Sequence, residues 1–200
     1  MIRPLCSDDV EEFRNLRGEA LTNHPGEFAT SAADWWAAPM EKIAALLADP
    51  PGPDGALLGA FDGSLVGMAG LGRESKQHVR HKASVWGLYV EPGARRRGLA
   101  RALVGELIVH ARAVGVETIR AVATSANASA LGLLASLGFE EFGREPRSRK
   151  IDTGYLDQVY LRLDHITCSD GIPPAGLRQD FFNHRHWHRG FLLLLIALVK

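Results

Sequence analysis

The stretch VWGLYVEPGARRRGLARALVGEL, residues 85–107, decides the fold. Its apolar, β-branched and aromatic beginning predicts a buried strand over residues 83–90. The segment EPG at residues 91–93 ends that strand, and an apolar helical pattern follows over residues 98–114. Gly115, directly after this pattern, is a common helix stop. The stretch therefore predicts a strand, a short basic loop and a helix in direct succession.

The start of this predicted helix is suited to bind phosphate. Backbone N–H groups in the first turn have no partner within the helix, and the helix dipole is positive there. Gly98 and Ala100 are small, so an anion can approach the backbone closely. The guanidinium groups of Arg95, Arg96 and Arg97 supply charge and further donors. These residues alone leave a second interpretation open, a plain helix start behind a solvated basic loop.

The remaining pattern, up to residue 165, predicts a mixed α/β (α+β) domain. An edge strand at residues 2–5 precedes two helices, of which the second is interrupted near Pro39. The first helix carries its stripe at Val10, Phe13, Leu16, Arg17 and Leu21, and the second covers residues 34–47. Further strands are predicted over residues 56–61, 65–71, 118–124, 139–142 and 154–163, with a helix over residues 127–137. Hairpins together with one strand–helix–strand unit predict a mixed sheet with helices on its faces.

Composition is that of an ordinary globular protein. Of 200 residues, 46% are hydrophobic and 23% charged, which suffices for a real core. Lys+Arg and Asp+Glu both number 23, and this balance gives no indication of nucleic-acid binding. Cys6 and Cys168 match no metal or redox spacing and are expected to be free thiols. The N-terminal stretch lacks an apolar signal core, so we expect a cytoplasmic protein.

Residues 166–200 differ in character from the sequence before them. They mix Pro, Gly and polar residues without periodicity, so we place a domain boundary near residue 165 and expect a poorly specified extension. Three histidines alternate within residues 184–188 and would share one face of a strand, but we expect a solvated tail and no metal. The apolar run at residues 191–199 is too short for a transmembrane segment. Docking on the domain, contact with a partner and contact with a membrane surface all stay open for this run, and a homodimer is possible.

Several ordered segments resemble the GNAT superfamily of N-acetyltransferases. RRRGLA at residues 95–100 resembles the signature of this superfamily. In that signature, Gln or Arg is followed three positions later by Gly and five positions later by Gly or Ala. A strand ending in LYVEP precedes RRRGLA, as in the superfamily. NASALGLLASLGF at residues 127–139 resembles the superfamily's second motif at the expected distance. The resemblance covers residues 1–163. It implies a GNAT-like acyl-CoA N-acyltransferase fold, with a mostly antiparallel central sheet, two splayed parallel strands and flanking helices.

The resemblance also implies acetyl-CoA as co-substrate and a set of residues that bind it. Backbone groups of Leu88, Tyr89 and Val90 would pair with the pantetheine arm, although Leu88 and Val90 would also suit a core. Asn127 would contact the cofactor arm, and its place before a helix also suits an N-cap. The pyrophosphate would lie on backbone N–H groups from a continuous run comprising Arg95, Arg96, Arg97, Gly98, Leu99, Ala100 and Arg101.

The implied reaction moves acetyl from the thioester directly to a primary amine of a small molecule or a peptide. A backbone N–H, that of Val90, would stabilise the oxyanion. The superfamily often places a Tyr acid and a strand Glu at positions that hold Leu134 and Gly87 here. Positioning alone could then suffice, or another tyrosine could substitute. A third alternative is a non-catalytic CoA-binding or partner-binding module.

Three tyrosines are candidates to substitute for the missing acid: Tyr89, Tyr155 and Tyr160. Tyr89 is the first choice, because strand alternation places it opposite Leu88 and Val90, although packing would also explain it.

The acceptor site is expected between the first two helices, their connection and the last hairpin. Candidates are residues 24–28, Trp35, Trp36 and the turn near Tyr155. Adjacent tryptophans cannot share one helix face, so we expect one in the core and the other at the pocket.

Overall fold

The computed structural model describes residues 1–47 and 52–164, and seven strands within these ranges form one sheet in the order β1-β2-β3-β4-β5-β7-β6. The strands are β1 (Ile2–Pro4), β2 (Gly55–Asp62), β3 (Ser64–Arg73), β4 (Lys82–Val90), β5 (Thr118–Thr124), β6 (Glu140–Ile151) and β7 (Gly154–Asp164). The helices are α1 (Val10–Asn23), α2 (Ala32–Ala37), α3 (Met40–Ala45), α4 (Leu99–Ala113) and α5 (Ala128–Ser136). The predicted mixed sheet is confirmed.

One neighbouring pair in the sheet is parallel, and it positions the site. β4 and β5 run in parallel with α4 as their crossover, whereas the other neighbours pair antiparallel. The parallel pairing joins Lys82, Ala83 and Ser84 to the first three residues of β5. Beyond Ser84 the two strands separate, as the resemblance implies. Among the strands of residues 1–47 and 52–164, the carboxyl-terminal half of β4 therefore has a neighbour only on its β3 side.

Two apolar cores cover the two faces of the sheet. Ala56, Leu58 and Ala60 of β2 belong to one core, and Leu57 between them belongs to the other, as alternation requires. The first core lies against α4, through Leu103, Val104, Leu107, Ile108 and Ala111. The second lies against α1, through Phe13, Leu16, Ala20 and Leu21, and also includes Trp35 and Ile43. We call these faces the α4 face and the α1 face.

A bulge in β4 changes which side chains reach each face. Met68 of β3 pairs with Tyr89, and Gly70 pairs with Trp86. The two pairs are two residues apart on β3 and three residues apart on β4, so β4 contains one extra residue. The extra residue lies at Gly87, whose φ of +66° suits glycine.

The bulge shifts the side-chain alternation by one residue. Val85, Leu88 and Val90 consequently pack on the α4 face, whereas Trp86 and Tyr89 pack on the α1 face. The expected placement of Tyr89 opposite Leu88 and Val90 is confirmed.

The prediction of a short strand over residues 139–142 was wrong in length. β6 extends over Glu140–Ile151 as the outer partner of β7. Its sequence, EEFGREPRSRKI, is rich in charges and contains Pro146, so it lacks the alternation that marks a half-buried strand. Charge, proline and register shifts are typical of an edge strand that must not pair with other chains.

Some expectations fall on residues that the structure does not describe. The domain boundary near residue 165, the histidines within residues 184–188, the apolar run at residues 191–199 and Cys168 all lie outside the described residues. Cys6 is exposed and carries a free thiol.

Candidate functional site

The gap between β4 and β5 exposes backbone polar groups that the sheet does not use. The N–H of Glu91 donates to the carbonyl of Val66 on β3, at 3.0 Å. Because successive residues of an antiparallel strand turn their N–H groups to opposite sides, the N–H of Val90 points away from β3. The carbonyl of Val90 accepts a hydrogen bond from Nε of Arg95, at 2.8 Å. Val90 therefore offers its N–H toward the gap while its carbonyl anchors the following loop.

The loop after β4 leads directly into the open end of α4. Two of its residues have positive φ, Arg96 at 62° and Gly98 at 79°. The first bond of the helix runs from the N–H of Ala102 to the carbonyl of Gly98, at 3.0 Å, so the N–H groups of Leu99, Ala100 and Arg101 have no partner within the helix. A Cβ atom on Gly98 would meet no described atom within 4 Å. The helix start thus presents donors beside empty space.

The basic side chains of this loop have different partners. Arg97 makes an exposed ion pair with Asp62, at 2.7 Å, and Arg101 donates to Oγ of Ser136, at 2.6 Å. Arg95 binds the Val90 carbonyl, as described above. Arg96 is exposed and has no ion pair or side-chain hydrogen bond within residues 1–47 and 52–164. Its guanidinium is therefore available to an anionic ligand.

Asn127 stands at the amino end of α5, opposite the same gap. Its Oδ1 accepts from the N–H of Ala130, at 3.0 Å, which confirms the N-cap interpretation. Its Nδ2 donates to Oε2 of Glu27, at 2.9 Å. The second carboxylate oxygen of Glu27 accepts from the buried hydroxyl of Thr124, at 2.6 Å. The sequence indicated Glu27 only as a member of residues 24–28, and its local pattern gave no sign of this hydrogen-bond network.

The connection between α1 and α2 lies against the last hairpin, as predicted for an acceptor site. An atom at the Cβ position of Gly26 would lie 2.4 Å from Cδ1 of Leu156, so the two segments are in close contact. Trp35 is 9% exposed and donates from Nε1 to the carbonyl of Arg14, at 3.0 Å. Trp36 is 41% exposed and covers Gly18. The expectation that one tryptophan enters the core is confirmed for Trp35, whereas a pocket role for Trp36 stays a prediction.

The three candidate tyrosines lie in different environments. Tyr89 is buried on the α1 face, and its hydroxyl donates to Oε1 of Glu19, at 2.8 Å. Burial and this hydrogen bond raise the pKa of Tyr89. Tyr155 is 47% exposed, with Arg147 over its ring.

Tyr160 lies on β7, and its hydroxyl donates to the Glu145 carboxylate, which raises the pKa of Tyr160. Of the three tyrosines, Tyr89 is the one buried on the strand that borders the gap.

Leu134 and Gly87, at the positions where the superfamily often has its acid and its glutamate, differ in their surroundings. Leu134 is buried in the core on the α4 face. Gly87 instead faces Arg17 of α1, because a Cβ atom on Gly87 would lie 3.5 Å from Nη1 of that arginine. The guanidinium of Arg17 thus lies beside the position at which the superfamily often has a glutamate. The single sequence signal for Arg17 was its place in the apolar stripe of α1.

Two negative observations apply to the described part of the chain alone. Within it, no helix combines the length and the apolar character needed to cross a membrane. The same ranges contain no cluster of three or more His, Cys, Asp or Glu side chains that could hold a metal ion.

Comparison with known proteins gives consistent matches. Residues 11–139 match the model of the acetyltransferase (GNAT) family. The chain is 38% identical over 87 residues to ribosomal protein bS18-alanine N-acetyltransferase of Salmonella typhimurium, covering 44% of this chain and 59% of the relative. It is 35% identical over 77 residues to L-methionine sulfoximine/L-methionine sulfone acetyltransferase of Pseudomonas aeruginosa, covering 38% of this chain and 45% of the relative. Both matches span less than two thirds of the relative's length.

Solved structures share the fold. A phosphinothricin acetyltransferase from Sinorhizobium meliloti, in complex with acetyl-CoA, superimposes with a TM-score of 0.73 at 21% identity. The superposition covers 90% of this chain and 96% of that structure.

Proposed function

Because the chain belongs to the GNAT family of acetyltransferases, we propose that it transfers an acetyl group from acetyl-CoA directly to a primary amine. The observation that carries this proposal is the gap beyond Ser84, where β4 exposes backbone groups next to the open start of α4. Acetyl-CoA is present in the Sinorhizobium meliloti relative, which supports it as the co-substrate here. We expect the protein to act in the cytoplasm, and a homodimer is compatible with this proposal.

The cofactor would lie along β4 and end at α4. Its pantetheine arm would pair with backbone groups of Leu88, Tyr89 and Val90, in the manner of an added strand. Its pyrophosphate would rest on the N–H groups of residues 95–101, with Arg96 as the available guanidinium. Asn127 already uses its Oδ1 and one amide hydrogen within the protein, so it would contact the arm through its second amide hydrogen.

The proposed chemistry needs no covalent enzyme intermediate. The neutral amine attacks the thioester carbonyl, a C–N bond forms, and the carbonyl oxygen becomes an oxyanion. The N–H of Val90, turned toward the gap, would stabilise that oxyanion. The C–S bond then breaks, CoA leaves as a thiolate, and the amine nitrogen loses its extra proton.

Tyr89 is our candidate for assisting the leaving thiolate. Its raised pKa keeps the phenol protonated at neutral pH, so it can donate a hydrogen bond and cannot act as a base. Its hydroxyl donates to Glu19 in the absence of substrate, at 2.8 Å, and would have to turn from that carboxylate toward the sulfur. Glu19 would then be free to accept the proton that the amine loses. Tyr155 is the less favoured candidate, because it is exposed and lies under Arg147.

The acceptor would bind between α1, the connection at residues 24–28 and the β6–β7 hairpin. The relatives are named for an alanine of ribosomal protein bS18 and for L-methionine sulfoximine. We therefore propose a small-molecule or peptide amine as the acceptor.

A thiol-release assay tests this function. The full chain is incubated with acetyl-CoA and a panel of primary amines, and free CoA is followed with a thiol reagent, while mass spectrometry detects the acetylated amine. Transfer predicts CoA release above the amine-free rate, matched by acetylated product. Leu134 and Gly87 favour a second candidate function, a CoA-binding module without turnover. Saturable binding of acetyl-CoA with no release for any amine would support that candidate against the first.

A further inference from the structure

Arg17 of α1 places a cation on the side of the sheet where the acceptor would bind. Its Cζ lies 4.4 Å from the ring centroid of Phe28, which follows Glu27 in the connection between α1 and α2. Its Nη1 lies 3.5 Å from the Cβ position of Gly87, at the bulge of β4. The ring supports one face of the guanidinium, and Gly87, which has no side chain, lies beside its Nη1. The guanidinium is thus held between the acceptor connection and the strand that borders the gap.

The Nη1 atom of Arg17 is buried and has no hydrogen-bond partner among the residues that the structure describes. Burial lowers the pKa of Arg17 to about 10, so the group still carries its charge at neutral pH. A buried charged donor without an acceptor is costly and calls for an explanation. Glu27, the chain neighbour of Phe28, already accepts hydrogen bonds from Thr124 and Asn127.

Arg3 illustrates how this chain satisfies a partly buried guanidinium elsewhere. Both of its terminal nitrogens donate to Asp9, each at 2.7 Å, in a bidentate pair. Arg17 has the same planar donor edge without the carboxylate. The partner that is missing from the described residues can be supplied by a ligand.

We propose that Arg17 binds the carboxylate of a small α-amino acid, and that this contact selects the acceptor of the acetyl group. The inference rests on the proposed acetyltransferase function. Gly87 is three residues from Val90, which is at most about 10 Å along the strand, because the bulge at Gly87 shortens this span. The acetyl group would lie at Val90 and the acceptor carboxylate at Arg17, so few bonds can separate the acceptor's amine from its carboxylate. An α-amino acid meets this requirement, whereas the main-chain carboxylate of a long peptide lies far from its N-terminal amine.

Matched acceptors test the inference. Each L-α-amino acid is compared with its carboxamide in the thiol-release assay, at saturating acetyl-CoA. The amide has the less basic amine, so more of it is neutral, and basicity alone would favour the amide. The wild-type protein should instead favour at least one free amino acid over its amide, by about 10- to 100-fold in kcat/KM, as expected for a hydrogen bond to a charged group.

Arg17→Met is compared with Arg112→Met, which removes an exposed arginine of α4. Arg17→Met should reduce the ratio of acid to amide toward one, mainly through KM, whereas Arg112→Met should preserve the wild-type ratio. Arg17→Lys should restore part of the preference, because it retains the charge and loses the planar fork. The melting temperature and the acetyl-CoA affinity of Arg17→Met should not fall, since the variant removes a buried charge for which the described residues provide no hydrogen-bond acceptor, and the Met side chain can still pack on Phe28. A marked fall in melting temperature would instead assign Arg17 a structural role and overturn the inference.

The remaining outcomes separate this inference from the function on which it rests. If amines are acetylated but acids and amides react equally well, or if Arg17→Met retains the preference, the carboxylate site is wrong and the acetyltransferase stands. If no amine releases CoA although acetyl-CoA binds, the proposed function fails and the acceptor site fails with it.

Discussion

Glu27 accepts a hydrogen bond from the side chain of Asn127, with 2.9 Å between Oε2 and Nδ2, and this bond joins the α1–α2 connection to the start of α5. The other oxygen of Glu27 accepts from the hydroxyl of Thr124, at 2.6 Å. Thr124 is 1% exposed, so water cannot easily replace that acceptor. One carboxylate thus holds the proposed acceptor connection against β5 and α5, next to the gap.

Glu27→Ala should lower the free energy of unfolding by about 1–3 kcal/mol, because it leaves the buried Thr124 hydroxyl without its acceptor. Urea unfolding followed by circular dichroism measures the change. Adding Thr124→Val should cost less than the sum of the single changes, since the two side chains share one interaction. Glu106→Ala, at an exposed position of α4, is the control. Equal losses for Glu27→Ala and Glu106→Ala would contradict the assigned role.

Gly98→Glu should weaken acetyl-CoA binding more than Gly98→Gln does. Both side chains occupy the open space beside the helix start and share the strain of a positive φ, so the pair isolates the effect of charge. Repulsion between the glutamate and the pyrophosphate should decrease as salt is raised, because the site is exposed. Calorimetric titrations at low and high salt measure both effects. Identical affinities for the two variants would place the pyrophosphate elsewhere.

Tyr89→Phe should lower kcat by about 10-fold or more with little change in KM, because general-acid assistance is lost while the buried ring remains. Initial rates of thiol release give both constants. Tyr160→Phe removes a hydroxyl that donates to Glu145 and should leave kcat unchanged. A wild-type kcat for Tyr89→Phe would contradict the general-acid role and leave Tyr89 with a packing role alone.

The lowered pKa of Asp9 predicts that the protein loses stability in acid. Hydrogen bonds from Arg3 lower the pKa of Asp9 from 3.8 to about 2. A carboxyl group whose pKa is lowered by folding contributes stability above its unfolded pKa and loses that contribution as pH falls toward its folded pKa. From the size of the shift the contribution at neutral pH is about 2 kcal/mol.

Asp9→Asn should therefore reduce the free energy of unfolding at pH 7, and its difference from wild type should shrink between pH 4 and pH 2. Urea unfolding across this range tests the window, with Asp8→Asn at the exposed neighbouring position as control. A difference that stays constant down to pH 2 would show that the charge of Asp9 is not responsible.

Local signals explain how much of the fold could be predicted. The strand ending at Val90, the helix that begins after Gly98 and the pair of strands predicted over residues 56–61 and 65–71 each follow from a few adjacent residues, and each is found in the structure. β6 was underestimated because an edge strand rich in charge carries no alternating apolar pattern. Its length depends on pairing with β7, which a local pattern does not encode.

The site was predictable in its backbone and less so in its side chains. The open helix start follows from elements that lie close together in sequence, whereas the gap was implied by the resemblance to the GNAT superfamily. The approach of Arg17 to Gly87 and the bonds from Glu27 to Thr124 and Asn127 join residues 70 or more positions apart. Such contacts arise once α1 packs on the sheet, so the sequence indicated the residue types without their partners.

Calorimetric titration of the wild-type protein with acetyl-CoA tests the central claim most directly, because every proposed step depends on cofactor bound in the gap and at the start of α4. The account predicts one saturable site per chain, with affinity reduced by Gly98→Glu. A titration without saturable heat, together with an unchanged melting temperature in excess acetyl-CoA, would contradict it.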